Sequence, residues 1–226
     1  MSMASLSGLS VGSLVYIALA LQVIGFLARD ELRLRLFMLG ASAFYLLYYL
    51  RIAGEPLWDA FAVNLSLALV NAAMIAVVVA ERTTIGMSRD SLALYARFEG
   101  MLPGHFRRLL RAAADIRVPD EARITVQGTP LDRLYFVIDG PVTVDKDGSA
   151  VVIGGGTFIG EVAYLTGRPA SATVRLGAGA RYLSWRREDI DRMTRRSPNF
   201  RNALLARINA DLAAKVAGSL PQQART

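Results

Sequence analysis

From Met1 to Ala28 the chain carries no charged side chain. Within that stretch, the run from Ser10 to Ala28 is long enough to cross a bilayer, which takes about 20 residues of helix. A cleaved secretory leader is the rival reading. Such leaders carry Lys or Arg ahead of their apolar core, and none precedes Leu14. A second apolar run, "LFMLGASAFYLLYYL", lies between Arg35 and Arg51, and Leu34, Ile52 and Ala53 extend it. Its flanking arginines can reach outward along their aliphatic stems. The third run, Ala60 to Ala80, is uncharged and ends at Glu81-Arg82. A three-helix core in water would need a polar face repeating at the helical period, and none of these segments has one. The expectation is three transmembrane helices, at about 10–28, 34–53 and 60–80, in a membrane domain of residues 1–82.

Positive residues favour the cytoplasm. The first connection, "RDELRLR", holds three arginines, and arginines 82, 89, 97, 107, 108 and 111 follow the third run. The second connection, "RIAGEPLWD", holds one arginine and two acids. The N-terminus is therefore expected outside an inner (plasma) membrane, and everything after residue 81 in the cytoplasm. Tyr48, Tyr49 and Trp58 would then sit at the outer interface. Asn64 and Asn71 are seven residues apart and share one helix face. Bare amides are costly in lipid, so that face must meet another helix, from this chain or from a second protomer. A homodimer is the expectation. Three spans without a pore signature argue against a channel.

Composition narrows the chemistry. With no cysteine, neither disulfides nor thiolate sites are available, and the single histidine, His105, excludes the common zinc clusters. The net charge of +7 suits the anionic inner leaflet. No helix-turn-helix follows residue 217, so DNA reading has no tool. No nucleophile–base pair is visible, and no enzyme is expected.

Residues 88–114 read as helical, with Leu92, Tyr95, Phe98, Leu102, Phe106, Leu109 and Leu110 at spacings of three and four and a break at Pro103-Gly104. From Arg117 the period falls to two. "ARITVQG", "LYFVIDG", "VTVDKDG", "AVVIGGG", "SATVRL" and "RYLSW" read as short strands separated by Gly and Asp-Gly turns. "DKDG" is a hairpin turn, because the further ligands of a calcium loop are missing. Arg186 to Ala217 is helical again, and Ser197-Pro198 starts a helix inside it. The fold class is thus three N-terminal transmembrane α-helices plus an α+β cytoplasmic domain, an antiparallel β jelly roll flanked by helices. The apolar face of the last helix also points to dimerisation.

That order of elements resembles the cyclic nucleotide-binding domain. "LDRLYFVIDGPVTV" is similar to its central hairpin. "FIGEVAYLTGRPASATV" is similar to its phosphate-binding cassette, whose common form runs Phe-Gly-Glu-(Leu/Ile)-Ala and ends Pro-Arg-Ala/Ser-Ala-Thr. The match covers about residues 88–217, with a flexible tail at 218–226. A narrower resemblance spans nearly the whole chain. Three N-terminal spans before such a domain are the layout of Popeye-domain proteins. "RYLSWRREDI" and "INADLAAKV" resemble their C-terminal pattern, with Trp185, Asp211 and Lys215 in its places. Vertebrate members carry Asp-Ser-Pro-Glu at the pocket, whereas this chain keeps Gly160-Glu161, as a prokaryotic relative would.

The resemblance implies a membrane sensor that binds cyclic AMP or cyclic GMP, cyclic AMP first, with no metal and a protein partner of unknown kind. The implied ligand-binding residues are Phe158, Ile159, Gly160, Glu161, Val162, Ala163, Arg168, Pro169, Ala170, Ser171, Ala172 and Thr173. Glu161 would accept the ribose 2′-hydroxyl, and Gly160 would leave room for the sugar. Ala163 begins the short helix facing the phosphate, Ser171 and Ala172 would donate to it, and Thr173 leads into the next strand. The family's phosphate arginine falls on Ala170, and the cassette's only arginine, Arg168, lies on the other side of Pro169. Either Arg168 reaches the phosphate by a different route or it points to solvent. The competing reading is a ligand-free scaffold that dimerises, with Glu161 capping the helix at 162–165.

Overall fold

The structure is a computed structural model that describes residues 10–52 and 55–219. Ala53 of the expected second span and residues 220–226 of the expected tail lie outside the described residues. The chain forms two compact units, Met1–Thr83 and Thr84–Thr226.

The first unit is an antiparallel run of three helices, α1 (Val11–Leu27), α2 (Glu31–Arg51) and α3 (Trp58–Arg82). Ser10 caps α1 by accepting from Ser13 N, and Asp30 caps α2 by accepting from Arg33 N. Asp30 also receives Arg82 Nη2 at 2.9 Å, tying the start of α2 to the end of α3. Of the three, α3 is long and apolar enough to cross a membrane, while α1 is apolar but has 17 residues. α2 begins earlier than its apolar run, because Glu31, Arg33 and Arg35 fall inside its first turns. Phe26, Trp58, Val63 and Leu69 each expose more than 60% of their surface. Large apolar side chains turned outward on several helices are costly in water and ordinary in lipid.

The second unit opens with α4 (Arg89–Tyr95) and α5 (Pro103–Arg111). Eight strands follow: β1 (Ala114–Arg117), β2 (Ala122–Thr125), β3 (Arg133–Asp139), β4 (Val142–Lys146), β5 (Ser149–Ile153), β6 (Thr157–Ile159), β7 (Thr173–Leu176) and β8 (Arg181–Arg186). α6 (Glu161–Thr166) sits between β6 and β7, and α7 (Arg187–Arg196) and α8 (Pro198–Ser219) close the chain. The strands form two antiparallel sheets, ordered β1-β8-β3-β6 and β2-β7-β4-β5. The expected jelly roll with flanking helices is present. The β4–β5 turn is Asp147-Gly148, both at positive φ, as a two-residue hairpin loop requires.

β3 explains why its sequence is a continuous apolar run. Alternate side chains leave opposite faces of a strand. Leu134, Phe136 and Ile138 pack against the helices with Phe98, Phe106, Trp185, Phe200 and Leu204. Tyr135 and Val137 turn the other way, into the space between the sheets with Val142, Val174 and Leu176. Trp185 on β8 is fully buried and donates its Nε1–H to the carbonyl of Leu109 at 2.8 Å, which fixes α5 on the sheet. His105 is buried edge-on against Phe200, as a packing residue.

Two strands were not legible in the sequence. Residues 114–117 lie partly in the stretch read as helical, yet form β1 on β8. All four are exposed, so the strand has no apolar alternation and rests on main-chain pairing. β6 has three residues, all buried, and equally lacks a period. The expected break at Pro103-Gly104 is present: α4 and α5 are separate helices, and Pro103 starts the second.

Candidate functional site

The stretch from Phe158 to Thr173 folds as strand, short helix and return loop. Gly160 joins β6 to α6 at φ +84°, in the left-handed region. A Cβ there would come within 2.6 Å of Leu131 Cδ2 and 3.1 Å of the Arg133 carbonyl. Crowding by Leu131, together with the dihedral angle, accounts for a glycine at this position. α6 ends at Gly167, also left-handed, whose N–H bonds the Ala163 carbonyl at 2.9 Å. The return loop is then stitched to the end of β2. Ala170 N donates to the Thr129 carbonyl at 2.9 Å, and Gly128 N donates to the Ala170 carbonyl at 2.8 Å. Thr125 Oγ1 donates to the Ala172 carbonyl at 3.0 Å.

This stretch forms one wall of a cleft of about 260 Å³. The opposite wall is apolar and comes from the second sheet: Val144, Val151, Ile153 and Val174. A ring system would be held there by burial alone. Of the twelve site residues named from the sequence, Ile159, Gly160, Glu161, Val162, Ala163, Ala170, Ser171 and Ala172 come together on the cleft. The other four are not among its lining residues. Phe158 is buried in the aromatic core, its ring 4.9 Å from that of Phe136 and 6.0 Å from that of Phe98. Thr173 Oγ1 accepts from Gln127 N at 3.0 Å. Pro169 and Arg168 are exposed, and Arg168 makes a main-chain bond to Thr166 Oγ1 at 3.2 Å. The Gly167 turn carries Arg168 away from the cleft.

The cation that does line the cleft is Lys215, from α8. Its Nζ donates to Glu161 Oε1 at 2.7 Å and to the Phe158 carbonyl, and pairs as an ion with Asp211 Oδ2 at 2.9 Å. Two of the three N–H groups of the ammonium are engaged in these hydrogen bonds, and the Asp211 carboxylate adds its charge at close range. Asp211 Oδ2 also accepts from Phe158 N and from Thr157 Oγ1, both at 3.1 Å. Glu161 and Asp211 are both buried, and burial of two carboxylates beside each other requires such a counter-charge. Arg207 adds to the cluster, with Nη1 3.9 Å from Asp211 Oδ1 and its guanidinium 5.8 Å above the Phe158 ring.

The far end of α6 is held by α7. Arg187 donates to the carbonyls of Ala163 at 3.3 Å and Tyr164 at 3.1 Å, and stacks 5.3 Å from the Tyr164 ring. Tyr164 Oη donates to Asp191 at 3.3 Å. Burial, and secondarily the Asp191 carboxylate, pushes the Tyr164 phenol up to about 12. The short helix is thus pinned at its start by α8 and at its end by α7.

Lys215 was read in the sequence as part of a C-terminal pattern, not as a site residue. The available signal was its spacing from Asp211, four residues and hence one helix face. The sheet residues of the opposite wall carried no signal beyond their apolar alternation.

A jelly roll with a helix-and-loop insertion between β6 and β7, closed by C-terminal helices, is the architecture of a cyclic nucleotide-binding domain. Residues 116–197 match the family model described as the cyclic nucleotide-binding domain. A cyclic nucleotide-gated potassium channel of Mesorhizobium japonicum is 34% identical over 117 residues, which are 50% of this chain and 33% of that protein. A second such channel, of Rhizobium etli, is 34% identical over 90 residues, covering 40% of this chain and 25% of its own. The chain therefore matches only about a third or less of the length of these relatives. A solved protein of Geobacter metallireducens, named for cyclic nucleotide binding, superposes with a TM-score of 0.50 at 15% identity, over 57% of this chain and 98% of its own, and shows the shared fold.

Proposed function

We propose that this chain is a membrane-anchored cyclic nucleotide sensor, with cyclic AMP its first ligand and no catalytic step. The carrying observation is Glu161, buried at the edge of an apolar cleft and held beside the Lys215 ammonium. The apolar wall of Val144, Val151 and Ile153 takes the base. Glu161 accepts the ribose 2′-hydroxyl through its carboxylate. The cyclic phosphate rests on main-chain N–H groups at the start of α6 and at Ser171 and Ala172, with Lys215 supplying the cation that the cassette lacks. Ligand contact then reaches α8 through Lys215 and α7 through Arg187.

The anchor is the three-helix unit, with its N-terminus outside and the second unit in the cytoplasm. Outward apolar side chains on its helices support this reading. Asp211 and Lys215, two residues that carried the Popeye resemblance, meet at the cassette, which supports a relative of that type. We carry nucleotide binding, and not potassium conduction, over from the named relatives. A homodimer through α3 or α8 belongs to the same proposal.

One observation favours a second reading. Arg168 faces solvent and Lys215 is already held by Glu161, Asp211 and the Phe158 carbonyl, as suits a ligand-free scaffold in which α8 locks the cassette. Equilibrium titration of cyclic AMP and cyclic GMP into the full chain in detergent micelles separates the two. Saturable micromolar binding is expected of the sensor, and no binding by the folded chain leaves the scaffold.

A further inference from the structure

The first unit holds a cavity of about 340 Å³ between α1, α2 and α3. It is unlike the rest of this apolar bundle. Gln22, Arg35, Ser42, Tyr45, Asn64 and Asn71 all line it. Arg35 enters with its charge incompletely matched. Its Nη1 donates to Asn71 Oδ1 at 3.4 Å, and its Nη2 stands 3.7 Å from Glu31 Oε1, beyond hydrogen-bonding distance. Arg35 Nε is buried with no partner, and so is Asn64 Oδ1. Asn71 turns its own amide N–H to the Leu67 carbonyl at 3.1 Å. The walls therefore present an unfilled guanidinium donor at one level. One unfilled amide acceptor lies at another, about 10 Å along α3 at 1.5 Å per residue. Buried polar atoms of this kind are costly unless something meets them. An acyl chain satisfies neither atom. An oxyanion carrying hydroxyl groups satisfies both, since its oxygens accept from Arg35 and a hydroxyl donates to Asn64.

We propose that this cavity binds a hydroxylated oxyanion, with phosphoglycerol chemistry, through Arg35 and Asn64. Two sources share that chemistry, a phosphatidylglycerol headgroup and soluble glycerol phosphate. The lipid source rests on the membrane reading, so carbonate extraction of membranes comes first. A chain released by carbonate fails that reading and leaves the soluble arm to be tested. The full chain is then purified in dodecyl maltoside, stripped of lipid, and offered phosphatidylglycerol, phosphatidylcholine or glycerol phosphate, with occupancy read by native mass spectrometry. One phosphatidylglycerol per chain, preferred about tenfold or more over phosphatidylcholine, supports the site with a lipid source. Glycerol phosphate binding to the same extent supports it with a soluble source. Arg35→Gln should weaken either by about one to two decades, the worth of a charge-assisted hydrogen bond. Asn64→Leu, which keeps the charge and the helix, should weaken it less. Circular dichroism checks that both variants fold. Equal retention of the two lipids with no glycerol phosphate binding, or binding unchanged in both variants, overturns the proposal.

Discussion

Lys215 and Glu161 are 54 residues apart in the chain and 2.7 Å apart in the structure. The ammonium sits between two buried carboxylates and a main-chain carbonyl, so α8 and the cassette share one charge cluster. Replacing Lys215 leaves Glu161 without its ammonium partner and Asp211 with only the longer, 3.9 Å contact to Arg207. Removing one partner of a buried pair costs about 3–5 kcal/mol. Because Lys215 keeps 28% of its side-chain surface exposed, Lys215→Met should cost less, about 2 kcal/mol. Urea unfolding followed by tryptophan fluorescence measures it. A loss no larger than that of an ordinary surface lysine would show that the cluster is not holding α8.

Arg168 lies off the cleft, so its removal should be nearly silent. Arg168→Ala is expected to change cyclic AMP affinity by less than about twofold, well inside the decade that a lost charge-assisted bond would give. Parallel titrations of parent and variant decide this. A tenfold loss would mean that the loop after Gly167 rearranges to bring Arg168 inward.

Gly160 should not tolerate a side chain. At φ +84° an L-residue is strained by about 1–2 kcal/mol, and the new methyl would lie 2.6 Å from Leu131 Cδ2. Gly160→Ala should therefore destabilise the chain by about 2–4 kcal/mol. Pairing it with Leu131→Ala should recover part of the loss, because the crowding goes and the dihedral strain stays. Thermal unfolding of the single and double variants tests that partition.

Tyr164 gives a signature at high pH. Its phenol titrates at about 12, above the ordinary value of 10.0, because burial and then Asp191 disfavour the phenolate. A group whose folded value is raised contributes stability below its unfolded value and loses it as pH climbs through the folded one. The contribution is therefore whole below pH 10 and fades between 10 and 12. Parent minus Tyr164→Phe stability, which cancels the other alkaline titrations, should fall over that window. A flat difference would place Tyr164 in contact with solvent.

How far the sequence carried depends on whether a residue's signal is local. The turn at Asp147-Gly148 and the start of α8 at Pro198 are written in neighbouring residues, and each was legible. The buried faces of β3 were legible as an apolar run, though not their split between two cores. β1 was invisible because Ala114 to Arg117 bury nothing and exist as a strand only through β8. The fate of Arg168 depends on the left-handed turn at Gly167, and that of Lys215 on the course of α8 across the sheet. The family resemblance named Asp211 and Lys215, while only the packed helix brings them to Glu161.

The most direct measurement is a calorimetric titration of cyclic AMP into the full chain, parent beside Glu161→Ala, Lys215→Met and Arg168→Ala. Micromolar binding that survives Arg168→Ala, and weakens by about one to two decades in each of the other two, is the expected result. No heat from the folded parent, or a loss confined to Arg168→Ala, would contradict a cleft that works through Glu161 and Lys215.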